Sequence, residues 1–219
     1  MAFPFQSMES TMKRRSAIVI ALAFLGAAGA GLYAISHFSN AGSTATKPLI
    51  GGAFSLVDTN GKRVTDADFR GKLMLVFFGY THCPDVCPTG LQQAADVLAK
   101  LGPDAGDVVP VFMSVDPARD TPAVMKSYVE NFDPRIVGLT GDPAEVASAA
   151  KAYRVYFRKA GSGEDYSVDH SAFVYLMSRN GKFITSFMFN APIDVMVGEL
   201  KKQIAAGTSR ETVSPPTKS

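Results

Sequence analysis

Leu73-Met74-Leu75-Val76-Phe77-Phe78 is an unbroken apolar run of strand length, and no other stretch constrains the fold as much. A strand with one wet face alternates polar and apolar residues. A run without polar positions has to be covered on both faces, as in the middle of an α/β sheet. The run stops at Gly79, and a short loop beyond it carries Cys83 and Cys87, the only cysteines of the chain. From Thr89 to Leu101, residues Leu91, Ala94, Ala95, Leu98 and Leu101 recur at helical spacing. A buried strand thus delivers two thiols to the opening of a helix.

The rest of residues 48–206 alternates in the same way. Ala53–Val57 and Arg63–Thr65 flank Asp58-Thr59-Asn60-Gly61, a hairpin turn signal. Val108–Val115 reads as the next strand and Pro122 to Phe132 as the next helix. Asp120-Thr121-Pro122 supplies a capping side chain and then a proline whose missing N–H costs nothing in a first turn. Ile136–Leu139 is a short strand, followed by a helix from Asp142 to about Ala152. Tyr153–Arg158 and Phe173–Met177 read as strands, and Lys182–Phe187 pairs back across Asn180-Gly181. Ile193 to Ala205 closes the domain as a helix. This order predicts an α/β fold with a mixed sheet, ending in the hairpin and helix of a thioredoxin-like second half.

The ends read differently. Lys13, Arg14 and Arg15 precede an uncharged stretch from Ser16 to Ile35. About twenty residues at ~1.5 Å rise span ~30 Å, the thickness of a bilayer core. Residues 1–15 are therefore expected on the cytoplasmic side, 16–36 as a transmembrane anchor and 37–47 as a linker, with the domain exported. A cleaved leader ending near Ala28-Gly29-Ala30 is the competing reading; the apolar run continues past it through Leu32, Tyr33 and Ile35. Residues 207–219, rich in Ser, Thr and Pro, are expected as a disordered tail. A net charge of +2, with no basic stripe among aromatics, argues against nucleic acid.

Thiols beside a helix N-terminus face free N–H groups and the positive end of the helix dipole, which favours the thiolate. A peroxiredoxin reading fails, because Tyr80 and Val76 stand where a hydroxyl residue and a proline are needed before Cys83. Two thiolates and an imidazole form a soft donor set suited to Cu(I) and able to accept Cu(II). Structural zinc prefers four protein ligands. The imidazole has three possible sources. His37 adjoins the apolar leader, His82 is a sequence neighbour of Cys83, and His170 precedes the Phe173–Met177 strand. On these grounds His170 is either a ligand or a surface histidine. Asp85 and Asp169 flank these positions as tuning groups or solvated carboxylates. Asp116, Arg119 and Asp120 shape a docking surface or serve as a cap and local ion pair. Met113, Met177 and Met196 read as core.

Phe78-Gly79-Tyr80-Thr81-His82-Cys83-Pro84-Asp85-Val86-Cys87-Pro88 resembles the signature of the Sco/SenC family of cytochrome c oxidase biogenesis. Ser114-Val115-Asp116-Pro117-Ala118-Arg119-Asp120-Thr121-Pro122 and Tyr166-Ser167-Val168-Asp169-His170-Ser171 extend the likeness. The resemblance implies a thioredoxin fold, an N-terminal anchor, and one copper ion, Cu(I) or Cu(II), held by Cys83, Cys87 and His170. It also implies a metallochaperone that receives copper from a donor protein and serves the dinuclear copper centre of oxidase subunit II.

The rival expectation is a membrane-tethered thiol–disulfide oxidoreductase, with Cys83 and Cys87 as its redox pair and a thioredoxin-like reductant as partner. A third is a copper or redox sensor. The expected location is a bacterial inner membrane with the domain in the periplasm, or a mitochondrial inner membrane facing the intermembrane space.

Overall fold

The computed structural model of the protein describes residues 50–211 apart from residue 164, all within the compact unit Pro48–Ser219. The expected anchor, the linker, His37 and residues 212–219 of the tail lie outside the described residues. No helix among the described residues is long and apolar enough to cross a membrane.

Strands β1 (Ser55–Asp58) and β2 (Arg63–Thr65) form the expected hairpin. Asp58 Oδ1 accepts the amides of Asn60 and Lys62 at 2.8 and 2.9 Å, and Gly61 takes φ +79°. Strand β3 (Leu73–Gly79) is buried along its whole length. It leads to helix α1 (Val86–Leu101), strand β4 (Val108–Ser114), helix α2 (Pro122–Val129) and strand β5 (Val137–Thr140). Helix α3 (Pro143–Ala152) starts in a capping box: Asp142 accepts the amides of Ala144 and Glu145, while Glu145 accepts the amide of Asp142. Then come β6 (Phe157–Ala160), β7 (Ser167–His170), β8 (Phe173–Met177), β9 (Phe183–Met188) and helix α4 (Ile193–Glu211).

Seven strands make one mixed sheet in the order β2-β1-β5-β4-β3-β8-β9. The chain crosses from β3 to β4 and from β4 to β5 in parallel, while β8 and β9 return antiparallel. β3 stands between β4 and β8, which is why its sequence has no polar position. Phe77 is the hub of the core. Its ring lies 5.1 Å from that of Phe112 and meets Phe189 edge-on at 6.0 Å. The parallel register runs Gly79 against Ser114, so the cysteine loop and the β4–α2 turn leave the same end of the sheet. The start of β8 lies at that end too, since Phe77 pairs with Val174.

Several expected boundaries move, each for a local reason. α1 opens at Val86 rather than Thr89, because Pro88 is tolerated in a first turn, where its N–H would be unused. The strand expected over Tyr153–Arg158 does not start there. Tyr153 caps α3, Arg154 takes the left-handed φ of +56°, and the Val155 amide donates to the Ala150 carbonyl at 2.8 Å. This helix-ending turn consumes the apolar residues that imitated a strand. β7 was not expected; it pairs with β6 in a separate two-stranded ribbon, Phe157 opposite His170. α2 ends at Val129 instead of Phe132. α4 passes Ala205 and runs to Glu211, into the stretch assigned to the tail.

Replacing Phe77 with Ala removes a fully buried ring. It is expected to cost about 3–5 kcal/mol in urea unfolding, with an unchanged denaturant slope.

Candidate metal centre

Cys87 is the second residue of α1, and its sulfur is completely buried. Gly79 makes the space for it. A Cβ at position 79 would overlap Cys87 Sγ and stand 2.8 Å from the Phe112 ring, so only glycine lets the sulfur rest on the strand end. Cys83 lies before the helix, in a turn where its amide donates to the Tyr80 carbonyl at 3.2 Å. The sulfurs therefore converge through the loop, not through an i,i+4 step on one helix. Cys83 keeps 8% of its surface exposed. His170, the last residue of β7, comes from the ribbon opposite, with Nε2 3.6 Å from Cys87 Sγ.

One donor atom each from Cys83, Cys87 and His170 lies within 4.8 Å of the other two. Among the described residues no other group of three His, Cys, Asp or Glu side chains converges like this. Both cysteines are free of disulfide bonds. His170 Nδ1 is 3.1 Å from the Ser171 carbonyl, which can only accept, so Nδ1 carries the proton. In the neutral ring that leaves the Nε2 lone pair facing the sulfurs. Tyr80 backs the imidazole edge-on at 5.9 Å. Such an outer contact fixes the orientation of a ligand ring.

The two thiols are electrically unequal. Cys83 is lowered to about 3, first by the hydrogen bond from the Cys87 thiol and also by the amides of Asp85 and Cys87, against a burial penalty. Cys87 is pushed up, because it donates to the Cys83 thiolate, is desolvated, and faces that negative charge. The metal-free pair is one exposed-side thiolate and one deep thiol sharing a proton.

The remaining candidates fall into place around this centre. His82 is exposed and contacts Thr81, with its Nδ1 3.1 Å from the hydroxyl. Asp169 pairs with Arg158 at 3.1 Å on the outside of the ribbon, and Asp85 is exposed. Neither carboxylate joins the three donors. Asp116 and Asp120 are buried, so they offer no docking surface; Arg119 is ion-paired to Asp116 at 2.5 Å. Met113, Met177 and Met196 are core residues. Gly79 and Tyr80 are the positions at the site that residue chemistry alone did not single out. Only the long family-like motifs contained them.

The SCO1/SenC family model matches residues 42–205. The chain belongs to the SCO1/SenC family. This Sco protein is 45% identical over 165 residues to the mitochondrial SCO1 homolog 1 of Arabidopsis thaliana, covering 74% of this chain and 49% of that one. It thus spans about half the length of that relative. The copper-bound structure of Bradyrhizobium japonicum ScoI is 50% identical, with a TM-score of 0.66, over 70% of this chain and 99% of that one. BsSco is described as carrying a disulfide switch and as a member of the Sco family of cytochrome c oxidase assembly proteins. It is 25% identical, with a TM-score of 0.59, over 73% of this chain and 96% of that one. The fold is the thioredoxin-like α/β fold of these Sco proteins.

Alkylation of the reduced, metal-free chain tests the asymmetry. Iodoacetamide is expected to modify Cys83 well before Cys87, at an observed rate that holds from pH 7 to about 4 and falls near pH 3 as the thiolate is protonated. Peptide mass mapping reads the order. Gly79→Ala is expected to displace Cys87, cost about 1–3 kcal/mol and expose that thiol to the same reagent.

Proposed function

We propose that this Sco protein is a membrane-anchored copper metallochaperone of cytochrome c oxidase assembly. In this reading Cys83, Cys87 and His170 hold one copper ion as cargo for the dinuclear centre of subunit II. The observation that carries it is the convergence of two sulfurs and an imidazole Nε2 within 4.8 Å. Copper seated in the Bradyrhizobium relative and the assembly role attributed to BsSco support it. The donor set fits the metal. Two thiolates satisfy Cu(I), and the lone pair on Nε2 adds the harder donor that Cu(II) prefers.

Delivery follows from the asymmetry of the pair. Cys83 is ionised and lies nearest to solvent, so it is the first sulfur to take copper from a donor protein. Loading requires Cys87 to lose its proton, and unloading to a target thiolate returns it. Stepwise replacement of Cys83, His170 and Cys87 by target ligands keeps the ion bound throughout. The leader fits this role if 16–36 is a single-pass anchor, 1–15 its cytoplasmic end and 37–47 a tether to the working domain that begins at residue 48. That topology puts the domain in a bacterial periplasm or a mitochondrial intermembrane space.

A low-pKa outer thiolate beside an inner thiol also favours a second reading, thiol–disulfide exchange. Cys83 would attack a target disulfide and expel one target sulfur as thiolate, and Cys87 would resolve the mixed disulfide, so that two electrons and the single proton of the pair pass to the two target sulfurs as the Cys83–Cys87 disulfide forms. A thioredoxin-like reductant would restore it. This cycle uses no imidazole.

Anaerobic titration of the full chain in detergent separates the two readings. One equivalent of copper is expected to bind. Cys83→Ser or Cys87→Ser should weaken Cu(I) and Cu(II) at least a hundredfold, on the order of a lost primary ligand. His170→Ala should weaken Cu(II) by about a hundredfold and Cu(I) by no more than about tenfold. Copper binding indifferent to His170 in both oxidation states would favour the exchange cycle instead.

A further inference from the structure

The two halves of the metal centre arrive on different elements. The cysteines follow β3, while His170 ends the β6–β7 ribbon, which is not part of the seven-stranded sheet. Something has to fix the distance between them, and the turn after β4 touches both. On the cysteine side, Thr81 donates its hydroxyl to Asp120 Oδ1 at 2.6 Å, and its amide lies 3.2 Å from Oδ2. Asp120 has no exposed surface and also accepts the Ser114 hydroxyl at 2.6 Å. Ser114 Oγ in turn accepts the Asp116 amide at 3.0 Å. On the histidine side, the Tyr166 hydroxyl donates to Asp116 Oδ1 at 2.6 Å, while Arg119 Nε holds Oδ2 of the same carboxylate at 2.5 Å.

Tyr166 is itself clamped. The Arg119 guanidinium carbon and Lys159 Nζ each lie 3.6 Å from the centre of its ring. Two cations at that distance cannot share one face without colliding, so the ring is sandwiched between them. Arg119 also reaches over Tyr80, 5.7 Å away, the residue that backs His170. Capping explains Thr121, which accepts the Val124 amide at the start of α2. It does not explain two buried aspartates whose partners lie 39 and 50 residues away in the chain.

We propose that the turn Ser114–Asp120 is the spacer of the metal centre: the hydrogen-bonded path Thr81–Asp120–Ser114–Asp116–Tyr166 sets the reach of His170 to the two sulfurs. Tyr166 is the positioning residue at the histidine end, and Asp120 at the cysteine end. The path touches none of the three donor atoms. Its effect is on where the ribbon holds the imidazole, and so on the oxidation state that needs the imidazole. This inference rests on the reading of Cys83, Cys87 and His170 as a copper site.

Tyr166→Phe is the informative change, because it keeps the sandwiched ring and removes only the hydroxyl. In the full chain it is expected to lower Cu(II) affinity about tenfold, the effect of one hydrogen bond to a charged group, and to leave Cu(I) within about twofold. The sulfur-to-Cu(II) charge-transfer band should shift as well. In the metal-free chain, amide exchange over Ser167–His170 should quicken about tenfold. Asp116→Asn is expected to reproduce the Cu(II) loss at smaller size. Tyr166→Phe matching the wild type in affinity, spectrum and exchange would overturn the proposal, as would equal losses of Cu(I) and Cu(II). If the wild type takes no copper, the copper reading fails by itself, and the metal-free exchange rates then decide whether the brace exists.

Discussion

The close approach of Cys87 to the end of β3 governs the chemistry of the site. Glycine at position 79 lets a sulfur atom sit where a methyl group would otherwise be, against the ring of Phe112. A thiol placed there is cut off from water and resists ionisation. It retains its proton and shares it with Cys83, whose negative charge is also met by the opening amides of α1. The division into an outer thiolate and an inner thiol is therefore set by one missing side chain on a strand. The helix dipole contributes, but both cysteines lie close to the same helix end. The hydrogen bond between them, with its proton kept on the deeper sulfur, is what separates them.

The charged network beneath the site is held by hydrogen bonds that leave little of it free to move. Burial raises Asp120 above the ordinary carboxylate range, against the pull of Ser114 and Thr81, which favour its charged form. A buried carboxylate contributes little net stability, because desolvation offsets most of what its partners return. Its value here is geometric. Asp120 ties the loop ahead of the cysteines to the end of β4, where the Val115 amide already donates to the Gly79 carbonyl at 2.8 Å. Asp116 carries the same frame on to the ribbon. The end of a central strand, a loop and a ribbon with no shared ladder thereby behave as one support.

The parts legible in the sequence were those governed by local rules. The run from Leu73 to Phe78 could only be a covered strand, and Asn180-Gly181 fixed a hairpin whose Gly181 takes φ +73°. Asp142 before Pro143 named its own cap. The parts that were not legible depend on contacts across the chain. Tyr153 and Val155 look like strand residues until the left-handed turn at Arg154 uses them to end a helix. Ser167–His170 alternates too weakly to announce a strand, and only its pairing with Phe157–Ala160 makes it one. At the site, the two cysteines were evident from spacing. The choice of His170 over His82 was not, because it depends on a ribbon that places residue 170 against residue 87. The role of Gly79 left no local signal at all.

If the site carries copper as proposed, it must bind the ion firmly and still release it, and these demands conflict in a closed four-ligand cage. Three donors with the two sulfurs at different depths would ease the conflict. An incoming ligand meets Cys83 first, since it is the sulfur nearest to solvent, and can displace it while Cys87 and His170 still hold. His170 belongs to a ribbon outside the main sheet, so its ring would be displaced without breaking a ladder of that sheet. Cys87 would yield last, and regaining its proton would favour departure, because it donates to the Cys83 thiolate and its burial stabilises the thiol over the thiolate. The two sulfurs would then exchange in order of exposure, Cys83 before Cys87. The burial that makes Cys87 a poor nucleophile would also make it the last sulfur to be exchanged.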